Sequence, residues 1–175
     1  MLMKICLVLI DLQKGFMNKN TEHIPVLIRE FLQSYPDTFD EVVATRYINH
    51  PGTACYLFEG WKGCMEGTED TELCHDLEGL YSHVFIKDKY SCWNEEFRQF
   101  TKEHCFDKIY FVGVNTGCCV LHSVLDCYNA VQDCAVISDF CGSTTGEELH
   151  ELSLKLLSTL ITKERIITSS KLEKR

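Results

Sequence analysis

Three stretches of the sequence end an apolar run with a side chain that can do chemistry. Asp11 closes ICLVLID, Lys87 closes VFIK, and the pair Cys118 and Cys119 follows YFVGV after a short turn. A thiol is a weak nucleophile until it loses its proton, and a nearby carboxylate, a cation or a helix N-terminus favours that loss. The residue types therefore predict a nucleophile, a base and an electrostatic partner. Each also has an ordinary explanation, as a turn aspartate, a solvated lysine or an inert thiol, and the types do not say which cysteine reacts.

The elements that must position these residues are strands and helices in alternation. Apolar runs of strand length span 4–10, 41–47, 84–86, 108–114 and 135–138, with a weaker RIIT near the C-terminus. Several runs are apolar on both faces, as in a parallel sheet covered by helices. The alternation predicts an α/β fold of three layers (αβα), with a six-stranded, mainly parallel sheet, in a single domain over residues 1–175. Ligands bind beyond the carboxyl ends of such strands, so the three groups should emerge at one edge of the sheet.

Three segments between the strands have the period of a helix with one buried face. In the last of them, Thr145 with Glu148 three residues later predicts a capping box at the start of the helix. The predicted apolar faces are Ile24, Leu27, Ile28, Phe31 and Leu32; Val120, Val124, Cys127, Tyr128 and Val131; and Leu149, Leu152, Leu156, Leu157 and Leu160.

The composition indicates a cytoplasmic protein that acts on a small molecule. A formal net charge of -9 argues against a nucleic-acid partner, because such binding rests on clustered Lys and Arg. No stretch approaches the roughly 18 apolar residues that span a membrane, and we interpret the opening run as a strand, not a signal peptide, because Asp11 ends it. The 11 cysteines are odd in number and irregularly spaced, which favours buried thiols in a reducing compartment over a disulfide framework.

Three motifs together resemble the isochorismatase-like cysteine hydrolases, which include nicotinamidases and N-carbamoylsarcosine amidohydrolases. LVLIDLQKGF is similar to the family's opening strand, IKDKYSCW to its Lys-x-x-Tyr-Ser segment, and GVNTGCCV to its Gly-Val-x-Thr-x-x-Cys-Val elbow. The resemblance implies the family's Rossmann-like fold. Its register makes Cys119 the nucleophile and leaves Cys118 to line the pocket. It likewise selects Lys87 instead of Lys89.

The resemblance also implies a role for each site residue. Asp11 would take the thiol proton and later help to protonate the leaving amine, while Lys87 would stabilise the ionised pair. The backbone N–H groups of Asn115 and Cys119 would form the oxyanion hole, after a cis peptide bond between Val114 and Asn115. An alternative is that Thr116 is an ordinary helix N-cap whose hydroxyl accepts the Cys119 N–H, which would weaken that hole.

The resemblance does not extend to a metal site. Nicotinamidases hold a metal through an Asp-x-His pair, and here Tyr47 and Asn49 stand in those positions. We therefore expect no metal and no cofactor. The alternative is a structural zinc among nearby soft ligands, although their spacing matches no common zinc pattern. Those candidates are His50, Cys55, Cys64, Cys74 and His75.

The irregular stretch 50–72 carries four glycines and is predicted to be a loop that shapes the pocket. Asn49 could orient a substrate, or could equally be a turn residue. Aromatic side chains could wall the pocket, or could equally be core residues. The predicted pocket residues are Phe16, Asn49, Trp61, Tyr90, Trp93 and Cys118.

Together these features predict a hydrolase that cleaves a carbon–nitrogen bond of a small amide or carbamoyl compound through a thioester on Cys119. Two alternatives stay open. One is hydrolysis of a vinyl ether on the same fold, as isochorismatases perform. The other is a relative without enzymatic activity that binds a metabolite or senses oxidants through its thiols. The resemblance also implies a homodimer or larger homo-oligomer.

Overall fold

The computed structural model describes residues 3–173, so the four terminal residues of the predicted 1–175 domain lie outside the described part. Six strands form one sheet in the order β3-β2-β1-β4-β5-β6, and all five pairings within it are parallel. This confirms the predicted α/β architecture. The strands are β1 Ile5–Ile10, β2 Glu41–Tyr47, β3 His83–Lys87, β4 Lys108–Val114, β5 Cys134–Gly142 and β6 Ile166–Ile167.

Helices connect the strands and flank the sheet. A single π-helical turn, Thr116–Val120, leads directly into the fourth helix. No helix within residues 3–173 has the length and apolar character needed to cross a membrane. The α-helices are α1 Ile24–Ser34, α2 Ala54–Phe58, α3 Glu95–His104, α4 Leu121–Asn129 and α5 Glu147–Leu160, and 3₁₀ turns cover Lys14–Phe16, Glu69–Thr71, His75–Leu77, Lys163–Arg165 and Ser169–Lys171.

The core lies along the two central strands, β1 and β4. Leu7, Leu9, Ile109 and Phe111 have no solvent exposure, because both faces of the sheet are covered. The register pairs Ile10 with Gly113 and the last residues of β2 and β3 with each other. The carboxyl ends of β1, β3 and β4 therefore meet at one edge, as the strand pattern predicts.

The predicted capping box at Thr145 is wrong. Helix α5 begins at Glu147, and its N-cap is Gly146, which makes no side-chain capping bond. The chain is still in a turn at Thr145, whose N–H donates to Ser143 Oγ at 3.3 Å, while Gly146 N–H donates to the Ser143 carbonyl at 3.0 Å. Gly146 has φ +124°, a conformation that favours glycine over the residues of a capping box.

The predicted apolar faces are only partly buried. On α1, Leu27 is exposed. Near α4, Tyr128 is exposed within the helix, and Val131 is exposed because it lies past the end of the helix. On α5, only Leu157 of the predicted face is buried. The residues that α5 turns inward include His150 and Ser153 instead.

The inward face of α5 carries His150 and Ser153 beside Leu157, and Ser153 lies where the helix passes close to the π-helical turn. A Cβ atom added to Gly117 would lie 2.5 Å from Ser153 Oγ. No larger side chain fits between these two backbones. Four leucines of α5 face outward: Leu149, Leu152, Leu156 and Leu160.

Gly113 is required where β4 approaches β1. Its φ is +117°, and an added Cβ would collide with the Ile10 carbonyl oxygen and lie 2.9 Å from the Ile10 nitrogen. We expect Gly113→Ala to lower the free energy of unfolding by at least about 2 kcal/mol, measured by urea denaturation. Gly79→Ala is the matched control, because Gly79 also has a positive φ (+76°) but open space around it. Equal losses in the two variants would contradict the collision.

Candidate active site

The three residues selected from the strand ends meet in one buried cluster. Lys87 Nζ lies 2.6 Å from Asp11 Oδ2 and 3.4 Å from Cys119 Sγ. Asp11 is 0% exposed, Lys87 4% and Cys119 6%. The cluster thus combines a carboxylate, an ammonium and a thiol within contact distance and away from bulk water.

Asp11 is held by its own backbone and by β2. It is the first residue after β1 and has φ +48°, in the left-handed region that aspartate tolerates better than most residues. Thr45 Oγ1 donates to Asp11 Oδ1 at 2.6 Å and accepts the Asp11 N–H at 3.1 Å. This leaves Oδ2 directed toward Lys87. The sequence analysis missed Thr45, whose signal is a hydroxyl within the otherwise apolar centre of EVVATRY.

Lys87 is held as a buried ammonium by two further groups. Its Nζ donates to the Lys89 carbonyl at 3.0 Å and lies 5.1 Å from the centre of the Tyr47 ring. Burial disfavours the charged form, but the carboxylate of Asp11 outweighs it and raises the pKa of Lys87 above its usual value. Lys87 is therefore a buried ammonium beside the Asp11 carboxyl group.

Cys119 is a protonated thiol in this arrangement. Burial raises its pKa well above the ordinary value, and the charge of Asp11 raises it further, while Lys87 acts in the opposite direction. Lys87 favours the thiolate, as expected from the sequence, but burial and the charge of Asp11 act more strongly on the resting thiol. Asp11 is instead placed to take the proton when the sulfur reacts.

The reactivity of Cys119 should therefore increase with pH over the whole alkaline range. We expect its alkylation by iodoacetamide to be slower at neutral pH than that of the exposed Cys105, and to keep rising above pH ~8.5, the ordinary thiol pKa. Peptide-resolved mass spectrometry separates the two sites. A Cys119 rate that reaches its plateau below neutral pH would show a preformed thiolate and contradict this assignment.

The thiol opens into a cavity of about 300 Å³, the size of a small-molecule site. Of the predicted pocket residues, Phe16, Trp61, Tyr90 and Cys118 line it together with Cys119. Asp11 and Lys87 lie behind the thiol and do not line the cavity. Lining residues that the sequence analysis did not place in the pocket are Gly15, Met17, Asn18, Tyr47, Cys55, Glu59, Asn115 and Thr144.

Two predicted pocket residues lie elsewhere. Asn49 is fully buried, and its amide donates to the Trp61 carbonyl at 2.9 Å and the Gly63 carbonyl at 3.1 Å, so it fixes the loop instead of facing a ligand. Trp93 packs edge to face on Phe97 of α3, 5.4 Å between ring centres. For both residues the contacts match the structural alternative, since loop carbonyls occupy the Asn49 amide and a core ring packs on Trp93.

The elbow that carries Cys119 is tied to the start of α5. The peptide bond between Val114 and Asn115 is cis, as the resemblance implies. Asn115 Oδ1 accepts the Thr144 N–H at 2.7 Å. Thr116 Oγ1 donates to the Gly142 carbonyl at 3.0 Å and lies 2.8 Å from His150 Nδ1, so it is not the N-cap of Cys119. His150 was not found from sequence; burial lowers its pKa, which favours the neutral ring.

The residues present do not fit the metal of nicotinamidases. Tyr47 packs beneath Lys87, and Asn49 uses its amide on the loop backbone. Among residues 3–173, no three His, Cys, Asp or Glu side chains converge so that they could hold a metal ion. The alternative zinc ligands are dispersed as well: Cys55 lies beside Tyr90, Cys64 beside Asp70, and His75 points into solvent.

Comparisons with known proteins agree with the fold. The family model described as the Isochorismatase domain matches residues 5–167, which is nearly the whole chain. The chain belongs to the isochorismatase family. No match was found among curated proteins.

Solved structures of isochorismatase relatives share the fold at low sequence identity. An isochorismatase-like hydrolase from Alkaliphilus metalliredigens superposes with a TM-score of 0.83 at 20% identity, covering 96% of each chain. Nicotinamidase from Bacillus subtilis gives 0.79 at 21%, covering 95% of this chain and 100% of its own. N-carbamoylsarcosine amidase from Thermoplasma acidophilum gives 0.83 at 15%, covering 99% and 100%. These likenesses establish the fold, and the relatives are hydrolases.

Proposed function

We propose that this protein is a cysteine hydrolase that cleaves a carbon–nitrogen bond of a small amide or carbamoyl compound through a thioester on Cys119. The observation that carries the proposal is the placement of the thiol. Cys119 lines the cavity, whereas the other two residues of the cluster, Asp11 and Lys87, lie behind the thiol and do not line it. A ligand in the cavity would contact the thiol of Cys119, and the thiol proton would pass to Asp11 on the side away from the ligand.

The first half of the reaction forms the thioester. Cys119 Sγ attacks the carbonyl carbon as its proton passes to Asp11, so the thiolate never has to exist in the resting enzyme. The N–H groups of Asn115 and Cys119 stabilise the oxyanion. The intermediate then collapses, the C–N bond breaks, and Asp11 returns the proton to the leaving nitrogen.

The second half releases the acid. Water attacks the thioester carbon while Asp11 accepts a proton from it, the C–S bond breaks, and the proton goes back to the sulfur. The carboxylic or carbamic acid leaves, and the thiol is restored. Throughout, Lys87 remains an ammonium that balances the negative charge, which moves between the carboxylate, the sulfur and the oxyanion.

A thiol-based oxidant sensor receives less support from the site. Such sensors depend on a low-pKa thiolate that is open to solvent. Cys119 is 6% exposed, and burial raises its pKa. Burial also raises the pKa of the neighbouring Cys118 thiol, and the charge of Glu59 raises it further by a smaller amount.

The proposal is tested with a panel of primary amides and carbamoyl compounds. We expect ammonia release, together with an acyl adduct on the Cys119 peptide after rapid acid quench and mass spectrometry. Turnover of a vinyl ether to a carbonyl compound, with no ammonia from any amide, would support the isochorismatase reaction instead. Reversible binding without any turnover would support a metabolite-binding role and overturn the proposal.

A further inference from the structure

We propose that the cavity selects an amide whose far end carries an organic cation, held by the carboxylate of Glu59 and by the aromatic faces of Trp61, Phe16 and Tyr90. This inference rests on the proposed amide chemistry, and it names the substrate class. No family feature stated above assigns Glu59.

Glu59 sets the charge of the cavity. It is the one charged side chain among the described residues that line the cavity. Within residues 3–173, no Lys, Arg or His lies at ion-pair distance from its carboxylate, whereas Asp11 and Lys87 neutralise each other behind the thiol. A ligand in the cavity therefore meets one uncompensated negative charge.

Glu59 is also oriented. It directly follows α2, and Tyr90 Oη donates to Glu59 Oε1 at 3.0 Å. Tyr90 itself contacts Cys55 Sγ through its hydroxyl, at 3.7 Å, on the same wall. The carboxylate is thus anchored on the cavity wall by one oxygen, and its other oxygen is available to a ligand.

The aromatic rings of the cavity favour the same ligand. Phe16 and Trp61 are stacked, with their ring centres 5.8 Å apart, and Tyr47 lies 6.0 Å from Trp61. The faces of such rings attract ammonium groups, and aromatic cages with a carboxylate bind quaternary ammonium ions. A carboxylate on the substrate would instead be repelled by Glu59. The expected order of substrates is cationic, then neutral, then anionic.

Three probes of similar shape test this order. They are the amide of γ-butyrobetaine, its neutral isostere in which a tert-butyl group replaces the trimethylammonium group, and the monoamide of glutaric acid. We expect kcat/KM for the cationic amide to exceed that of the neutral isostere about tenfold. In Glu59→Gln, which keeps an acceptor for Tyr90, this ratio should fall close to one. Glu78→Gln is the control, because Glu78 is an exposed carboxylate that does not line the cavity.

Direct binding separates the two proposals. Calorimetry with the Cys119→Ala variant measures the affinity for the cationic and neutral amides without turnover. A binding preference for the cation that is lost in the Glu59→Gln background supports the subsite even if no amide is hydrolysed. Hydrolysis with no preference, or with a preference that Glu59→Gln leaves intact, overturns the subsite while the amidase chemistry stands.

A second inference comes from the outer face of α5, and it is independent of the cavity. We infer that this face pairs with the same face of a second copy in an antiparallel arrangement. Leu149, Leu152, Leu156 and Leu160 are 38%, 60%, 49% and 46% exposed, whereas the inward side of the helix carries His150 and Ser153. Four leucines exposed along one side of a single helix form an apolar patch, which marks an interaction surface.

The charges beside this leucine face identify the partner. Glu148 and Lys155 are two helical turns apart and lie along the same side of the leucines. Within residues 3–173 neither side chain forms an ion pair. An antiparallel two-fold pairing centred near Leu152 brings each Glu148 to the Lys155 of the other copy. The surface is therefore complementary to itself.

Sedimentation velocity tests the pairing. We expect the protein to be a dimer, Lys155→Glu to shift it toward monomer at least about tenfold in dissociation constant, and Glu148→Lys with Lys155→Glu to restore the dimer. Lys102→Glu on α3 is the charge control. A monomeric wild type, or a dimer that the single reversal does not weaken, overturns the inference.

Discussion

Replacing Cys119 by alanine should lower kcat/KM for amide hydrolysis by at least about 10⁴-fold, because Cys119 is the proposed nucleophile and the cavity-lining thiol that contacts Lys87. The neighbouring Cys118 provides a matched control within the same peptide. It lines the cavity but is not within contact distance of Lys87 in the structure, where Cys119 is 3.4 Å away. Cys118→Ala should therefore keep the activity within about tenfold.

The comparison separates the nucleophile from the pocket wall. Both variants remove one thiol from adjacent positions, so a general effect on the elbow would lower both activities alike. Ammonia release and the acyl adduct should disappear together in Cys119→Ala, while unfolding in urea should change little. Hydrolysis that survives in Cys119→Ala, or that is lost equally in Cys118→Ala, would remove Cys119 from the mechanism.

The second large effect concerns stability. Lys87→Met leaves the carboxylate of Asp11 without its ammonium at a position with no solvent exposure. Breaking a buried ion pair on one side costs about 3–5 kcal/mol, because the remaining charge stays desolvated. We expect this loss in the free energy of unfolding, measured by urea denaturation at neutral pH.

Two further variants show whether the charge is the cause. Lys89→Met alters an exposed lysine in the same turn, whose carbonyl still accepts from Lys87, and should change stability by less than about 0.5 kcal/mol. The double variant Asp11→Asn with Lys87→Met removes both charges and should recover most of the stability, although not the activity. A double variant as unstable as Lys87→Met alone would assign the loss to packing instead.

The strand pattern and the motif register are enough to bring Asp11, Lys87 and Cys119 to one place. The end of each apolar run is visible in the sequence. Because the carboxyl ends of parallel strands lie at one edge of the sheet, the residues that end these runs come together there. Thr45 and His150 act through contacts with residues 34 positions away, which no local pattern records. The side chains of Asn49 and Trp93 are of the right type for a pocket, but loop carbonyls already accept from Asn49, and Trp93 packs on Phe97 at the start of α3.

Helix periodicity locates α1, α4 and α5 but does not say what covers each face. The leucines of α5 have the spacing of a core face, yet only Leu157 of them is buried, and the close approach at Gly117 is filled by the small side chain of Ser153. The same limit applies to Glu59. A glutamate in an irregular loop is expected to face bulk solvent, and only the folded structure shows that Glu59 borders the cavity.

The cavity obtains its reacting group and its walls from different kinds of structure. Asp11, Lys87 and the Cys119 elbow belong to strand ends fixed by the central sheet, whereas Phe16, Glu59 and Trp61 stand on a short 3₁₀ turn and on the loop after α2. Substitutions in those surface segments cost little folding energy and leave the ionised pair untouched. Duplicated descendants of such a gene can thus drift toward new metabolites while keeping the cluster behind the cavity.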